Sequence, residues 1–262
     1  MKIQSPHKFK ERILLFGGGG VGKTTAVLSI ARSLTEGRVW VIDNDYSYAY
    51  ERALATEFDD VDNVEVIEVD ADWEECIAAV DRVLEEGDPE HDWLVIDPFS
   101  PTWDYVQNWM STRVHSTNLD EHIVTLRAES ADIKTFNKEL SEAMNWPVVN
   151  RVYTERMLKP IRKWKGHLLL VCEAAATGKT DDEEARTLFG HLGLKPAGQK
   201  RNHHIASTNI LLSKSSHGEY RMTTAKDRNR SEMEKVAFDD FALDYLRDVG
   251  GWVRAKASKG DE

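Results

Sequence analysis

Residues 12–25 have the sequence Arg-Ile-Leu-Leu-Phe-Gly-Gly-Gly-Gly-Val-Gly-Lys-Thr-Thr, in which an apolar run is followed by glycines, a lysine and two threonines. The apolar run Ile13–Phe16 predicts a buried strand, and Thr25–Leu34 predicts a helix. The pattern G-x-x-x-x-G-K-[ST] is met by four residues in and beside the turn between them: Gly17, Gly22, Lys23 and Thr24. A glycine-rich turn in this position indicates a site for the phosphates of a nucleoside triphosphate.

Each part of this turn has a role in phosphate binding. Glycines let backbone N–H groups converge on phosphate oxygens at places where a Cβ would clash. Lys23 places a cation against the β- and γ-phosphates, and the Thr24 hydroxyl is a ligand for Mg²⁺. The helix that begins near Lys23 adds free N–H groups and the positive end of its dipole. We therefore expect ATP and Mg²⁺ as cofactors, held by a run of consecutive residues: Gly17, Gly18, Gly19, Gly20, Val21, Gly22, Lys23, Thr24 and Thr25.

The composition is that of one globular α/β domain. A chain of 262 residues, 41% of them apolar, can bury a sizeable core. No apolar stretch approaches the roughly 20 residues of a membrane span, and residues 1–8 lack the apolar segment of a signal peptide. Cys76 and Cys172 lie far apart in apolar segments, which favours buried, reduced thiols. We expect a cytoplasmic protein with no membrane contact.

The net charge of −11 hides an uneven distribution of charged residues. Residues 41–100 contain 20 Asp and Glu against 2 Lys and Arg, a balance of −18. Residues 151–230 contain 16 Lys and Arg against 8 Asp and Glu, a balance of +8. The acidic total argues against a general nucleic-acid-binding surface. The basic half is either an anion-facing surface or a set of solvated charges.

Apolar runs alternate with helical periods along the chain, which predicts an α/β fold with a mostly parallel sheet flanked by helices. The clearest helical periodicity is that of residues 72–86, which predicts an amphipathic helix over Asp72–Glu86. Residues 205–212 and 219–225 flank a polar turn and predict a C-terminal β-hairpin. The buried parallel strands are predicted at Ile13–Phe16, Val39–Ile42, Val64–Val69, Trp93–Ile96 and His167–Cys172.

Other segments are less regular. The pattern predicts an insertion at residues 103–146 with two helices, Trp103–Val114 and Ala131–Met144, joined by a polar loop at Ser116–Glu121. A long helix is predicted at Val148–Trp164, interrupted at Pro160. Ala174–His204 is too long for an ordinary connection, so we expect it to be functional or partly disordered. A short helix is predicted at Phe238–Arg247, followed by a frayed tail at Lys256–Glu262.

A carboxylate ends one of the buried strands. Asp97 follows the apolar run Trp93–Ile96, at the sheet edge where triphosphate enzymes hold magnesium directly or through water. We therefore predict Asp97 and Thr24 as the magnesium residues; the alternative is that Asp97 caps a turn. Pro98 occupies the next position, where many P-loop ATPases place a catalytic glutamate, so the base must come from elsewhere.

The strand at residues 39–42 offers that base. It is followed by Asp43, Asn44 and Asp45, and strand ends of this type line one crevice in a doubly wound sheet. We predict that Asp45 activates the attacking water and that Asp43 supports Asp45 or the metal. The alternative is that both carboxylates cap the helix beginning near Tyr46.

The order of these motifs resembles that of the RecA-like ATPases. In that family the second strand ends in Asp-x-Glu, whose glutamate activates water, and Asp45 stands at that position, one methylene shorter. The strand His167–Cys172 resembles the family strand that ends in a polar residue sensing the γ-phosphate. Glu173 stands at that position, where glutamine is usual. Ala174–His204 has the place of the family's mobile DNA-binding loop.

Among these proteins, the sequence is most similar to the compact RecA-like "AAA family" ATPases encoded by phages, which are linked to single-strand annealing and recombination. The resemblance covers about residues 10–232. It implies a single RecA-like ATPase domain over residues 1–262, with a helical insertion at about 103–146 and a C-terminal helix and tail at 233–262. It also implies a homo-oligomer, ring or filament, that hydrolyses ATP on single-stranded DNA in the cytoplasm of a bacterial or archaeal host.

Basic residues after the hairpin have a counterpart in this family. Some members send a lysine or arginine from this place into the nucleotide of a neighbouring subunit, which makes Lys226 and Arg228 candidate catalytic residues, ahead of Arg230. The alternative is a solvated basic turn. Residues 200–204 offer basic groups for a phosphate backbone. His203 and His204 lack Cys or His partners at ligand spacing, so we do not expect a zinc site.

The helix at residues 148–164 carries aromatic and basic side chains. Trp146, Tyr153 and Trp164 alternate with arginines and could stack bases, but packing of the rings into the core is favoured.

Two other classes of protein stay open. ParA/MinD-like partitioning ATPases also have Asp-x-Asp after the second strand, but they carry a lysine early in the glycine loop, where this chain has Gly18. A nucleotide-binding scaffold or packaging component with little turnover is compatible with aspartate at position 45.

Overall fold

A computed structural model of the chain describes residues 10–45, 47–179, 181–243 and 245–246. In these ranges the strands are β1 (Arg12–Gly17), β2 (Val39–Asp43), β3 (Val64–Glu68), β4 (Trp93–Asp97), β5 (His167–Ala176), β6 (Leu194–Pro196), β7 (Thr208–Lys214), β8 (Tyr220–Asp227) and β9 (Ala237–Asp239). The helices are α1 (Lys23–Ser33), α2 (Ala49–Leu54), α3 (Trp73–Glu86), α4 (Thr102–His115), α5 (Leu119–Glu129), α6 (Ile133–Met144), α7 (Trp146–Tyr153), α8 (Lys159–Lys163) and α9 (Glu183–Phe189).

Within the described ranges, the nine strands form one sheet in the order β3-β2-β4-β5-β1-β7-β8-β9, and β6 pairs with the end of β5. The strands from β3 to β7 in this order are parallel, whereas β6, β8 and β9 pair antiparallel with their neighbours. The predicted α/β fold with a mostly parallel sheet and a C-terminal hairpin is therefore confirmed.

The sheet is buried on both faces because alternate residues of each central strand point to opposite sides. Leu14, Phe16 and Ile96 contribute to one apolar cluster, under α3, α4, α7 and α8. Leu15 and Val95 contribute to the second cluster, under α1 and α2. Two layers of helices thus enclose the sheet, and the carboxyl ends of its parallel strands form one edge.

The predicted strands and the hairpin are confirmed, as is the helix at α3, whose N-cap Asp72 accepts hydrogen bonds from the N–H groups of Glu74 and Glu75. The two cysteines are buried and unpaired, as expected. None of the described helices combines the length and the apolar character that a membrane span requires.

The polar loop predicted at Ser116–Glu121 is wrong for its second half, because α5 begins at Leu119. The side chain of Asn118 accepts a hydrogen bond from the Glu121 N–H at 2.9 Å, which is an N-cap that starts a helix. The region between β4 and β5 therefore contains an additional helix between the two that were predicted.

The long helix predicted at Val148–Trp164 is present, and its interruption at Pro160 takes a specific form. Residues Thr154–Leu158 form one wide π-helical turn between α7 and α8, directly before the proline. Proline has no N–H to donate, and a π turn is one way a helix absorbs such a local mismatch. Tyr153 before this turn and Trp164 after α8 both lie in the apolar core.

The segment Ala174–His204 is folded where the structure describes it. The end of β5 pairs antiparallel with β6, at Ala174↔Pro196 and Ala176↔Leu194, and α9 lies between them in sequence. Phe189 at the end of α9 packs edge-to-face on Phe16 of β1, with ring centroids 5.6 Å apart. The segment is therefore anchored to the central strand and does not hang free.

The helix predicted at Phe238–Arg247 is wrong at its start, because Phe238 belongs to β9 and pairs with Met222 of β8. The open edge of β8 offers backbone hydrogen bonds there, and the Phe238 ring packs on Tyr245, with centroids 5.2 Å apart. The end of this predicted helix at Arg247 and the tail at Lys256–Glu262 lie outside the described residues.

A buried ionic network fastens the edge of the sheet opposite the carboxyl ends. Arg230 forms two hydrogen bonds with the carboxylate of Glu11, at 2.7 and 3.2 Å, and a third with Asp227 at 2.6 Å. Tyr245 donates to the same Asp227 carboxylate. Glu11 and Asp227 are fully buried, so this network joins the start of β1 to the end of β8 in a low-dielectric interior.

We expect Arg230→Met to destabilise the fold by about 3–5 kcal/mol, because it leaves two buried carboxylates without their cation. The measurement is urea unfolding followed by circular dichroism. Arg228→Met is the matched control: Arg228 is exposed on the same segment, and its replacement changes the free energy of unfolding by less than about 0.5 kcal/mol. Equal effects of the two substitutions would contradict a stabilising role for the network.

Candidate active site

The glycine turn between β1 and α1 needs glycine at two positions for different reasons. A Cβ on Gly17 would lie 2.5 Å from the backbone oxygen of Leu212, because β7 passes close to the end of β1. Gly22 has φ of 89° and is the N-cap of α1. It offers no side chain to cap the helix, so the first N–H groups of α1 are left for an anion.

Lys23 is the first residue of α1, and its side chain turns back over the loop. The amino group donates hydrogen bonds to the backbone oxygens of Gly17 at 3.1 Å and Gly18 at 2.8 Å. This position holds the ammonium above the mouth of the loop. A phosphate oxygen there is a stronger partner for the ammonium than either carbonyl, because the hydrogen bond joins two opposite charges.

A cavity of about 690 Å³ opens above this loop at the carboxyl edge of the sheet. A volume of this size suits a nucleotide. Its lining contains most of the residues predicted from the sequence for phosphate and metal binding, together with several that were not: Gly17, Gly18, Gly19, Gly20, Gly22, Lys23, Thr24, Thr25, Asp43, Asp45, Ser47, Ala49, Tyr50, Asp97, Glu173, Ala174 and Tyr220. Val21, the remaining predicted residue, packs instead against the apolar cluster under α1.

The ends of β2 and β4 bring two carboxylates side by side. Asp43 and Asp97 are partners in the parallel register, and both are buried. Burial raises the pKa of Asp43 to about 7, and repulsion from Asp45 and Asp97 adds to the rise. Burial likewise raises the pKa of Asp97 to about 6, although the Tyr50 hydroxyl and the Lys23 ammonium oppose it.

Asp45 lies two residues beyond Asp43 and is exposed to the cavity. Its N–H donates to Asp43 at 3.1 Å, and its carboxylate accepts a hydrogen bond from the Ser47 N–H at 2.8 Å. These two bonds fix the turn that carries Asp45. The structure therefore brings Asp43, Asp45 and Asp97 together with Lys23, as the sequence predicts; the chemical role of each residue stays a prediction.

The carboxylates fit a magnesium ion. Burial makes the ionised form of both aspartates costly, and repulsion from Asp45 adds to that cost, so a bound cation would relieve it. Oxygen donors are the ligands that Mg²⁺ prefers, and the Thr24 hydroxyl belongs to the lining of the same cavity. Thr24 and Asp97 are therefore suited to hold the ion, with Asp43 behind them.

Tyr50 and Tyr220 are site residues that the sequence did not indicate. The Tyr50 hydroxyl, fully buried at the start of α2, donates a hydrogen bond of 2.5 Å to Asp97. The Tyr220 ring, on β8, lies next to Gly22, and the amino group of Lys214 is 4.5 Å from the ring centre. Both tyrosines reach the cavity through tertiary packing, so no local spacing in the sequence could have identified them.

The basic residues Lys226, Arg228 and Arg230, at and beyond the end of β8, lie toward the opposite edge of the sheet from the cavity. Lys226 is buried, and its amino group donates to the backbone oxygens of His203 and Ala206, both at 3.1 Å. Burial lowers the pKa of Lys226 to about 8. Arg230 is held in the buried network, whereas Arg228 is exposed. To reach a neighbouring nucleotide, as predicted, the Lys226 amino group would have to give up these two hydrogen bonds. The exposed Arg228 side chain would not.

A second cavity, of about 760 Å³, lies between the helices and the turn after β6. Trp103 and Trp146 line it together with Arg162, Lys200 and Arg201, whose side chains are exposed. We call it the aromatic-basic groove. Of the three rings considered from the sequence, Tyr153 and Trp164 are buried in the core and only Trp146 lines this groove.

The sheet order, the glycine loop with its lysine and the aspartates at the strand ends define a P-loop NTPase of RecA-like fold. The family model described as "AAA domain" matches residues 10–202, and the chain belongs to that family. No curated protein matches this sequence.

One solved structure agrees with this fold, and a second is similar over a smaller part of its own chain. The crystal structure of the RadB recombinase is similar with a TM-score of 0.51 and 12% sequence identity, over 88% of this chain and 87% of that chain. The ATPase EscN, in complex with its central stalk EscO from the enteropathogenic E. coli type III secretion system, has a TM-score of 0.42 and 12% identity. That match covers 78% of this chain and 42% of EscN.

We expect the free protein to lose stability as the pH rises from about 4 to about 7. Over this range the unfolded chain ionises its aspartates, while folded Asp43 and Asp97 hold their protons up to about pH 7 and 6. The folded state is therefore favoured below the unfolded pKa, and this advantage is lost as the pH passes the folded values. Urea unfolding at a series of pH values measures the slope.

The free energy of unfolding should fall less steeply with pH in Asp43→Asn. This substitution removes the ionisation of residue 43 and gains roughly 2–4 kcal/mol of stability at neutral pH. Asp59→Asn, at an exposed carboxylate after α2, is the control and keeps the original slope. A wild-type profile of stability that is flat from pH 4 to 7 would refute the raised pKa values of Asp43 and Asp97.

Proposed function

We propose that the protein hydrolyses ATP with Mg²⁺, as an oligomer that acts on single-stranded DNA in recombination, annealing or replication of the phage type. One observation supports the chemistry above all: Lys23 and three aspartates at two strand ends face a single nucleotide-sized cavity above the glycine loop. A structural cap for a turn needs one carboxylate, whereas this arrangement supplies the cation, the metal ligands and a further carboxylate.

In this proposal the loop N–H groups and Lys23 bind the β- and γ-phosphates, and Thr24 and Asp97 hold the metal. Mg²⁺ neutralises charge that develops on the phosphate oxygens. Tyr50 keeps Asp97 ionised and aimed at the cavity through its hydrogen bond. The residues of the chain thus position the nucleotide and its charge before any bond breaks.

Asp45 is the proposed base for the attacking water. It is exposed to the cavity, and its carboxylate is oriented by the Ser47 N–H. The proton of water passes to Asp45 as the water oxygen bonds to the γ-phosphorus, and the bond from that phosphorus to the β-phosphate oxygen breaks. Glu173 lies on β5 opposite Gly17 in the register and lines the same cavity, and it is the proposed sensor of the γ-phosphate.

An oligomer supplies the missing cation near the γ-phosphate. Arg228 is exposed at the sheet edge opposite the cavity of its own chain, so it can reach a nucleotide only in a neighbour. An arginine supplied from a second subunit stabilises charge in phosphoryl transfer. Lys226 is a weaker candidate because its amino group is buried.

The aromatic-basic groove is the proposed contact for single-stranded DNA. Trp103 and Trp146 offer faces on which bases stack, and Arg162, Lys200 and Arg201 offer cations for the phosphates. The groove combines aromatic rings and cations at one place, whereas the acidic half of the chain offers few cations. Likeness to the RadB recombinase concerns the fold alone, so the groove itself is the basis for the proposed DNA contact.

We expect Lys23→Ala to lose nucleotide binding, and Arg228→Ala to bind nucleotide but hydrolyse it at least about 1,000-fold more slowly. Mixing the two variants should restore part of the activity, because some interfaces then pair an intact loop with an intact arginine. Phosphate release and the binding of a fluorescent ATP analogue are the readouts. If mixtures stay inactive while both variants fold and assemble, hydrolysis across subunits is excluded.

Asp45→Asn should bind ATP as tightly as the wild type but lose turnover by at least about 100-fold, since it removes the base and keeps the shape. Glu173→Gln, which restores the glutamine usual in RecA-like ATPases, should keep most of the turnover. The measurement is single-turnover hydrolysis with a nucleotide-affinity control. The reverse ranking of the two variants would move the base from Asp45 to Glu173.

Single-stranded DNA should stimulate hydrolysis, and Arg162→Ala or Arg201→Ala should weaken DNA binding and reduce the salt slope by about one. Trp146→Ala should cost about 1–3 kcal/mol of binding free energy through lost stacking. Lys163→Ala removes a neighbouring exposed charge that does not line the groove, and it leaves binding unchanged. Absence of both DNA stimulation and salt-sensitive binding would favour a nucleotide-dependent scaffold.

A further inference from the structure

Two neighbouring histidines meet a carboxylate from another element, and none of the three residues belongs to the lining of the nucleotide cavity. His203 and His204 lie on a short 3-10 turn, and Glu184 comes from α9. The Nε2 atom of His203 is 3.7 Å from one carboxylate oxygen of Glu184, and the Nε2 atom of His204 is 3.5 Å from the other. The candidate ligand atoms of all three residues lie within 4.8 Å of one another.

The His203 ring is unusual because it is buried and its Nε2 atom is unsatisfied. Only 5% of the residue is exposed, and Nε2 has no hydrogen-bond partner in the part of the chain that the structure describes. An orphaned polar atom in the interior costs free energy unless something binds it. The ring is fixed edge-to-face against Phe189, with centroids 5.7 Å apart, so Nε2 is held pointing toward Glu184.

The spacing of these groups favours a shared ion over a direct hydrogen bond. The Nε2 atom of His203 is 3.7 Å from Glu184, which is longer than a hydrogen bond, and the Nε2 atom of His204 is 3.5 Å from the other carboxylate oxygen. An ion between the three side chains would give the orphaned Nε2 atom of His203 a partner.

We propose that Glu184, His203 and His204 form a site for a divalent transition metal such as Zn²⁺, distinct from the magnesium residues and independent of the proposed ATPase function. Two imidazole nitrogens and one carboxylate oxygen are a donor set for Zn²⁺, Co²⁺ or Ni²⁺, with one position left for water. The nitrogen–oxygen spacings of 3.7 and 3.5 Å are close to the about 3.3 Å that separates two ligands of a tetrahedral ion.

The proposed site departs from the expectation of no zinc, which was based on spacing along the chain. Glu184 is far from the histidines in sequence, and only the packing of α9 on the sheet brings them together. A bound metal would fix the return of segment 174–204 to the sheet. It would thereby hold Lys200 and Arg201 at the aromatic-basic groove and the His203 carbonyl on Lys226.

The test is titration of chelator-treated protein with Co²⁺, followed by visible absorption. We expect one tightly bound ion per chain with intense bands of a four- or five-coordinate site, displaced by Zn²⁺. Glu184→Gln and His204→Ala change exposed or half-buried side chains, so they should fold normally and lose at least about tenfold in affinity. His191→Ala, an exposed histidine near the end of α9 outside the cluster, is the matched control and keeps the bands.

A second pair of variants separates this site from the nucleotide cavity. Asp97→Asn should leave the Co²⁺ bands intact, and Zn²⁺ should protect residues 177–201 of that variant from limited proteolysis but not those of Glu184→Gln. The proposal is overturned if the bands persist in Glu184→Gln and His204→Ala, if they vanish in Asp97→Asn, or if no ion binds with one-to-one stoichiometry. None of these outcomes depends on hydrolysis or DNA binding.

Discussion

The site depends on a parallel register that places one buried carboxylate directly beside another. Asp43 and Asp97 end adjacent strands at the same level, where burial makes the ionised form of each expensive. The chain opposes this cost only in part, through the Tyr50 hydroxyl and the Lys23 ammonium. Burying two ionised carboxylates costs free energy, and a cation bound between them would remove this cost. Such an arrangement is therefore typical of a cation-binding site.

The sheet separates two kinds of chemistry. Its carboxyl edge holds the glycine loop and the aspartates, and the other edge holds the buried network of Glu11, Asp227 and Arg230. The network holds Arg230 in the interior, which leaves Arg228 exposed. The chain thus has its nucleotide-sized cavity at one edge of the sheet and an exposed arginine at the other, and the proposed head-to-tail assembly would bring the two together.

Much of this was predictable from the sequence because it is encoded locally. Continuous apolar runs predict the buried strands. The glycine loop and the aspartates directly follow three of these runs in the sequence. What could not be predicted depends on contacts across the fold. Tyr50 and Tyr220 reach the cavity from α2 and β8, and Glu184 meets its histidines only after α9 packs on the sheet. The start of α5 was missed for a different reason, since a single cap at Asn118 outweighed a polar composition.

The position of Lys23 has a consequence for how nucleotide comes and goes. Its ammonium is bound to the carbonyls of Gly17 and Gly18, so the loop is a permanent intramolecular competitor for the same cation. An incoming phosphate must displace these two bonds, and part of its binding free energy is consumed in doing so. When the phosphate leaves, the same two carbonyls are available to the ammonium again. These two hydrogen bonds therefore lower the affinity for any phosphate, and a ligand with more phosphate charge is better able to replace them.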